Sequence, residues 1–345
     1  MQSKRESVLF TVVLLFAAAT IVPAAEDPEP DLDPYQKCLL EKLRTANDET
    51  PISKIREACL PFLEGSIADE AITVAGTEDD TEETTPLEER LEETEATEEM
   101  RFVITPYKPN YLLVGYNSNP NTGPFEEAFP DQVIDFQSAE VKFQISFMFP
   151  IVKDIFGNNG DLYFAYTNRS FWQLFDEELS APFRETNHEP EFWLQFDSDF
   201  KILGLTNRLN SFGYIHQSNG RADPLSRSWN RLFANFIFER GNLALSVKPW
   251  IIIMDLTGNE DIQDYMGNFE IRAAYKWHKQ TFSLMSRNNL QSWFSRGAVQ
   301  LDWSFPIYHR LRGYTQYFYG YGESLIDYNY RNNTLGVGLS FTDYF

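Results

Sequence analysis

The last twelve residues of the chain, TLGVGLSFTDYF, alternate with a period of two. In an extended chain Leu335, Val337, Leu339, Phe341 and Phe345 share one side, and Gly336, Gly338, Ser340 and Thr342 share the other. Only Asp343 interrupts the apolar side. Such a strand needs an apolar medium on one face and a partner along each edge for its backbone amides. The same texture fills the chain from about residue 102, where strand-like runs alternate with clusters of Gly, Asn, Asp and Pro. The runs predict strands near 110–117, 140–150, 161–172, 190–200, 205–218, 226–239, 242–254, 265–276, 279–288, 295–305, 310–321 and 332–345. Twelve is an even count, as an antiparallel barrel with both chain ends on one side requires.

Alternation alone also fits a soluble sandwich. The start of the chain tips the balance toward a membrane. Lys4 and Arg5 precede an apolar run from Val8 to Val22, and the small residues Ala24 and Ala25 follow. This pattern predicts a secretory signal peptide over residues 1–24, cleaved after Ala24. The competing reading is an uncleaved anchor, but the run is shorter than the ~20 residues a spanning helix needs. No later run approaches that length, yet aromatics make up 15% of the chain, with 29 Phe, 17 Tyr and 7 Trp. The terminal Phe on an amphipathic strand is similar to the insertion signal of outer-membrane barrels. Together these features predict a twelve-stranded antiparallel transmembrane β-barrel over residues 102–345. Closure is obligatory, because an unpaired backbone amide in hydrocarbon costs several kcal/mol.

The formal net charge of −22 sits mostly in front of this region. Residues 26–100 hold 24 acidic and 6 basic residues. A net negative chain without a basic cluster argues against nucleic acid as a partner. Asp33 and Thr50 can each cap a short helix, with Pro34 and Pro51 at the first helical positions. Cys38 and Cys59 are the only cysteines. In an exported chain they predict a disulfide stapling a helical hairpin within residues 25–63. A metal or redox pair is the competing reading, and it lacks a CxxC spacing or a nearby histidine. Residues 64–101, with TEDDTEETTPLEERLEETEATEE at their heart, are expected to be a disordered, solvated linker on the periplasmic side. A cation-gathering or partner-binding tail is the alternative for them.

The stretch GYIHQSNGRADPLSRSWNRLF, residues 213–233, carries the candidate chemistry. At strand spacing Tyr214, His216 and Ser218 point the same way, and in the next strand Asn230 shares its parity with Leu232, Phe236 and Phe238. Both polar sets therefore fall on the lipid side, at strand ends flanking a loop. Ser218 can supply a nucleophile, His216 a general base, and Asn230 an acceptor that fixes the imidazole tautomer. Asparagine suits a position beside lipid, where an ionised carboxylate would be costly to desolvate. It supports a developing imidazolium less than Asp would, so a second source of positive charge is expected. The bland reading is a structural loop histidine beside a chance serine. His188, His278 and His309 are read as surface or interfacial hydrogen-bonders, with Arg184 and Glu185 as salt-bridged loop support.

The same stretch closely resembles the active-site hairpin of the outer membrane phospholipase A family. So do SAPFRETNHEPEFWL (180–194), VKPW (247–250), YMG (265–267) and YGYGESLIDYNY (319–330). The resemblance covers residues from about 102 to the end and leaves the acidic extension without a function. It implies a calcium-dependent hydrolase of phospholipid acyl esters, active as a homodimer in the outer membrane. It assigns Ser218 as nucleophile, His216 as base and Asn230 as orienter, with an oxyanion region around Ser218 and Gly220. Calcium ligands map to the Arg221 carbonyl, the Ser226 hydroxyl and the Ser180 carbonyl of the partner subunit, with Asp223 a nearby carboxylate. Two positions depart from the family. Its acidic calcium residue falls on Gly258, near Asp255, Glu260 and Asp261, and its dimer-interface glutamine falls on Asn168. The alternative to an enzyme is a porin-like or structural barrel that has kept the motif without the activity.

Overall fold

The computed structural model describes residues 85–98 and 104–344, apart from 177–181, 255, 257, 289 and 292–294, with scattered residues between 37 and 59. The expected signal peptide lies outside the described residues. The chain divides into two units, Met1–Thr81 and Glu82–Phe345. In the first, helical residues around Cys38 and around Cys59 are joined by the Cys38–Cys59 disulfide, with the two Cα atoms 5.8 Å apart.

In the second unit, twelve long strands form a closed antiparallel barrel. In chain order they are β1 (Tyr111–Asn117), β2 (Ala139–Val152), β3 (Asp161–Trp172), β4 (Phe183–Asp197), β5 (Leu205–Ser218) and β6 (Ser228–Arg240). Then come β7 (Leu243–Ile253), β8 (Phe269–Trp277), β9 (Gln280–Asn288), β10 (Ala298–Tyr308), β11 (Leu311–Tyr321) and β12 (Arg331–Ser340). Each pairs with its sequence neighbours, and β12 pairs back onto β1, so the twelve-strand ring has no free edge. A sandwich is thereby ruled out. Two further strands of two residues, Thr105–Pro106 and Lys201–Ile202, pair with β2 and β5.

The period-two pattern is realised as expected along β12. Leu335, Val337 and Leu339 are exposed on the outside, while Thr334 and Ser340 are buried. The strand ends at Ser340. Beyond it the chain turns, and Asp343 points inward to Arg312 at 3.0 Å and Thr281 at 2.9 Å. This is why one acidic residue can break the apolar parity without facing lipid.

The lumen is filled. Arg184 bridges Glu140 and Asp327 at 2.8 Å each, Lys142 reaches Glu323 at 3.0 Å, and Lys108 reaches Glu189 at 2.6 Å. Residues 322–330 fold back between the strands, burying Leu325, Ile326 and Tyr328, with the Ile326 amide donating to Glu185. These interior charges are thus paired with one another.

Two expectations are corrected. First, β4 begins at Phe183, not near 190. Its first half is polar because Arg184, Glu185 and Asn187 face the packed lumen, where each finds partners. Arg184 and Glu185 thus belong to a strand, and the expected salt-bridged support is given from there, where Glu185 pairs with Arg221 at 3.3 Å. Second, the stretch expected to be disordered contains helix α1 (Pro86–Glu98). Thr85 and Glu88 close a reciprocal cap: the Glu88 amide donates to the Thr85 hydroxyl at 3.2 Å, and the Thr85 amide to the Glu88 carboxylate at 2.9 Å. Pro86 sits at the first helical position and Leu87 is buried. Rim cations offset the acidic face: Arg208 pairs with Glu88, and Lys276 with Glu89 at 3.3 Å. Helix α1 lies at the end of the barrel with the short turns, such as Gly241–Asn242, whereas the loops at the opposite end are long. Short turns mark the periplasmic side.

Candidate active site

β5 and β6 are joined by the loop 219–227 at the long-loop end. Their register sets His216 opposite Asn230 and Ser218 opposite Ser228. The inward parity is occupied by Ile215, Trp229 and Arg231, all buried. The outward parity carries Phe212 and Leu232, both exposed, along with Tyr214, His216, Ser218 and Asn230. The polar set therefore stands on the outer wall, as the alternation predicted.

His216 Nδ1 donates to Asn230 Oδ1 at 2.9 Å. Tyr214 donates its hydroxyl to the same oxygen at 2.6 Å. An amide oxygen only accepts, so the His216 proton is held on Nδ1 and Nε2 keeps its lone pair. Ser218 shares the face two residues along, and among the described residues no hydrogen bond closes between its hydroxyl and His216. Catalytic contacts of this type are often longer before substrate binds.

The loop is braced from inside. Asn219 is buried, donates to the Leu225 carbonyl at 2.8 Å, and accepts from the Arg227 amide at 3.0 Å. Glu185 accepts from Arg221 Nε at 3.3 Å, and Arg221 also donates to the Arg184 carbonyl at 2.6 Å. Leu225 packs with Phe125 and Ile326. Gly220 takes φ +64°, a left-handed conformation that glycine adopts without strain. Asn259 pins the start of β6, donating to the Ser228 carbonyl at 3.0 Å. Tyr328 donates to Asp261 at 2.7 Å; burial and that carboxylate push the phenol above its usual range, so it stays a donor.

The model of the family described as phospholipase A1 matches residues 87–341. The chain belongs to the phospholipase A1 family. The Klebsiella pneumoniae phospholipase A1 is 41% identical over 244 residues, which cover 71% of this chain and 84% of that protein. The solved outer membrane phospholipase dimer of Salmonella typhi with bound calcium is 39% identical, covers 71% of this chain and 94% of its own, and superposes with a TM-score of 0.67. An active-site mutant of Escherichia coli outer membrane phospholipase A, asparagine changed to alanine, is 40% identical over 71% of this chain and 94% of its own, also at 0.67. This phospholipase is thus an outer-membrane barrel, and its matched region takes in α1 as well as the strands.

The remaining expected residues fall around the phospholipase's braced loop. Arg221, Asp223 and Ser226 all lie in it, and Ser180 lies outside the described residues. Among the described residues there is no cluster of three His, Cys, Asp or Glu side chains of the kind that holds a metal. The loop instead offers a carbonyl, a hydroxyl and an exposed carboxylate. This all-oxygen set fits a hard cation such as calcium and not a softer transition metal. Gly258 stands against the loop: a Cβ there would lie 3.1 Å from the Ser226 carbonyl, and its φ is +77°. A carboxylate cannot be grafted at this position without moving backbone. Of its acidic neighbours, Glu260 accepts from the Gly258 amide and Asp261 is engaged by Tyr328.

Sequence reasoning missed two neighbours of the site. Tyr214 could have been found, since its parity puts it beside Asn230. His188 could not: the sequence placed it in a loop, whereas it lies in β4 directly opposite Ser218. His278 and His309 sit in turns, far in sequence from the site.

Proposed function

We propose that this chain hydrolyses the carboxyl esters of glycerophospholipids at the outer wall of its barrel, through an acyl-enzyme on Ser218. The observation that carries the reading is the 2.9 Å bond from His216 Nδ1 to Asn230 Oδ1 on the lipid-facing side, two residues along the strand from Ser218. With Nδ1 protonated, His216 Nε2 takes the Ser218 proton as Oγ attacks the ester carbonyl. The tetrahedral intermediate collapses, the ester C–O bond breaks, and His216 returns the proton to the departing lysophospholipid oxygen. Water, activated by the same nitrogen, then releases the fatty acid. The amides of Ser218 and Gly220 face the oxyanion. Tyr214 is a positioning residue, holding Asn230 so that Asn230 can hold the ring.

The Arg221 carbonyl and the Ser226 hydroxyl would hold calcium, with Asp223 nearby and the Ser180 carbonyl of the partner subunit completing the set. When bound, calcium supplies the positive charge that a neutral asparagine lacks, through its waters, at the oxyanion. The Salmonella relative, a dimer with bound calcium, supports both the cation and the homodimer. The outer wall itself supports the homodimer. Asn168, His188, Ser218 and Ser228 form one cross-strand row that lipid solvates poorly. A second copy laid over the row would cover it and wall off a cleft for acyl chains.

Acyl release from detergent-solubilised protein with calcium tests this. Ser218→Ala is expected to lower kcat by about 10⁴-fold or more, as nucleophile removal does elsewhere. Turnover equal to that of the parent would end the reading.

A further inference from the structure

Ser218 has a histidine on each side, and the two are held in opposite ways. His188 stands opposite Ser218 across the β4–β5 ladder and opposite Asn168 across β3–β4. Its Nδ1 lies 2.6 Å from the Tyr166 hydroxyl and 3.4 Å from Asn168 Nδ2. The Asn168 amide is oriented by its other end, where Oδ1 accepts from the Ser170 hydroxyl at 3.1 Å. An amide nitrogen can only donate, so His188 Nδ1 is an acceptor and the neutral ring carries its proton on Nε2. That edge of the ring faces Gly220. A Cβ on Gly220 would lie 3.8 Å from His188 Cδ2 and 3.9 Å from Nε2. The donor edge thus overlooks the strip between Ser218 and Gly220 where the oxyanion forms.

We propose that His188 is a second catalytic imidazole that acts as a hydrogen-bond donor, its Nε2–H meeting the ester carbonyl oxygen as that oxygen becomes tetrahedral. The inference rests on the proposed role of Ser218. The two rings divide the work by tautomer. Asn230 keeps a proton on His216 Nδ1 and frees Nε2 to accept; Tyr166 and Asn168 fill His188 Nδ1 and leave Nε2–H to give. His188 cannot replace His216 as the base while its clamp is intact. A donor already aimed at the developing charge is worth most where water is excluded, as under lipid. Asn168, the shorter amide at the family's glutamine position, reaches His188 from the adjacent strand and serves this donor geometry.

The test is steady-state kinetics on calcium-loaded protein in mixed micelles. Barrel folding is checked by heat-dependent gel mobility. His188→Phe keeps a planar ring without a donor, and kcat is expected to fall about 100-fold with KM little changed, the usual cost of losing one oxyanion donor. His188→Gln restores an N–H at similar reach and is expected to recover most of that loss. Tyr166→Phe loosens the clamp and is expected to cost about 3- to 10-fold in kcat, less than losing the donor outright. Unchanged kcat in His188→Phe overturns the proposal. So does an equal loss in His188→Phe and His188→Gln carried by KM, which marks a merely structural clamp. Ser218→Ala is run alongside: if it stays active the Ser218 reading fails, whereas a dead Ser218→Ala beside a fully active His188→Phe sinks only the present inference.

Discussion

The lumen and the outer wall of this barrel are both polar near the long-loop end, but they are polar in different ways. Inside, the network is ionic: Arg184 lies between Glu140 and Asp327, and Lys142 is held by Glu323 and Gln316. Outside, among the described residues, the side chains around Ser218 on the wall include no carboxylate, lysine or arginine: they are Asn168, Tyr166, His188, Tyr214, His216, Ser228 and Asn230. The lumen can afford charges because each finds a counterion and further hydrogen bonds in a fixed protein frame. The wall borders hydrocarbon, where an ionised side chain has no such company. This contrast explains the choice of asparagine over aspartate as the partner of His216. Under the proposed function, it also accounts for placing the source of positive charge at the loop and not in the wall.

Three substitutions break or sharpen the contrast. The largest effect is expected in the lumen. Arg184→Leu strands Glu140 and Asp327 in a buried site and is expected to cost about 3–5 kcal/mol of unfolding free energy, read by denaturant titration in lipid vesicles. A loss under 1 kcal/mol would show that water reaches these carboxylates and that the lumen is less filled than described. On the wall, Val337→Lys puts a cation on the lipid face of β12 and is expected to cost about 2–4 kcal/mol in the same titration. If it costs nothing, Val337 does not face hydrocarbon. The smallest effect is at the site around Ser218. Tyr214→Phe removes one hydrogen bond to Asn230 and is expected to lower kcat about fivefold, equivalent to about 1 kcal/mol, with unchanged unfolding. A shift in unfolding of comparable size would make Tyr214 a structural residue instead of a positioning one.

Those outcomes bear on what the sequence could show. The outer wall was legible because lipid forces an unbroken period of two: Leu335 to Leu339 and Phe212 to Ser218 could be sorted by parity alone. The lumen was not, because its filling is a tertiary property. Nothing local to Phe183–Glu189 marks it as strand, since its polar residues read as loop until their partners on β2 and in 322–330 are known. Helix α1 was missed for a related reason. Its Thr-Pro-Leu-Glu cap is a local signal, but it stood within an acidic run whose repulsion is offset in part by Arg208 and Lys276 on the barrel rim. The pairing of His216 with Asn230 could be proposed from one hairpin, because a single register joins them. His188 needed the register of β4 against β5. That ladder is interrupted between His188↔Ser218 and Glu191↔Ile215, where Pro190 has no N–H to donate.

The inward fold of residues 322–330 has a consequence for the cell envelope. By burying Leu325, Ile326 and Tyr328, the chain itself occupies part of the space that a pore would need. Under the proposed function the hazard to the cell is digestion of its own bilayer, and control over it rests on what reaches the exterior wall, where His216, Ser218 and Asn230 stand.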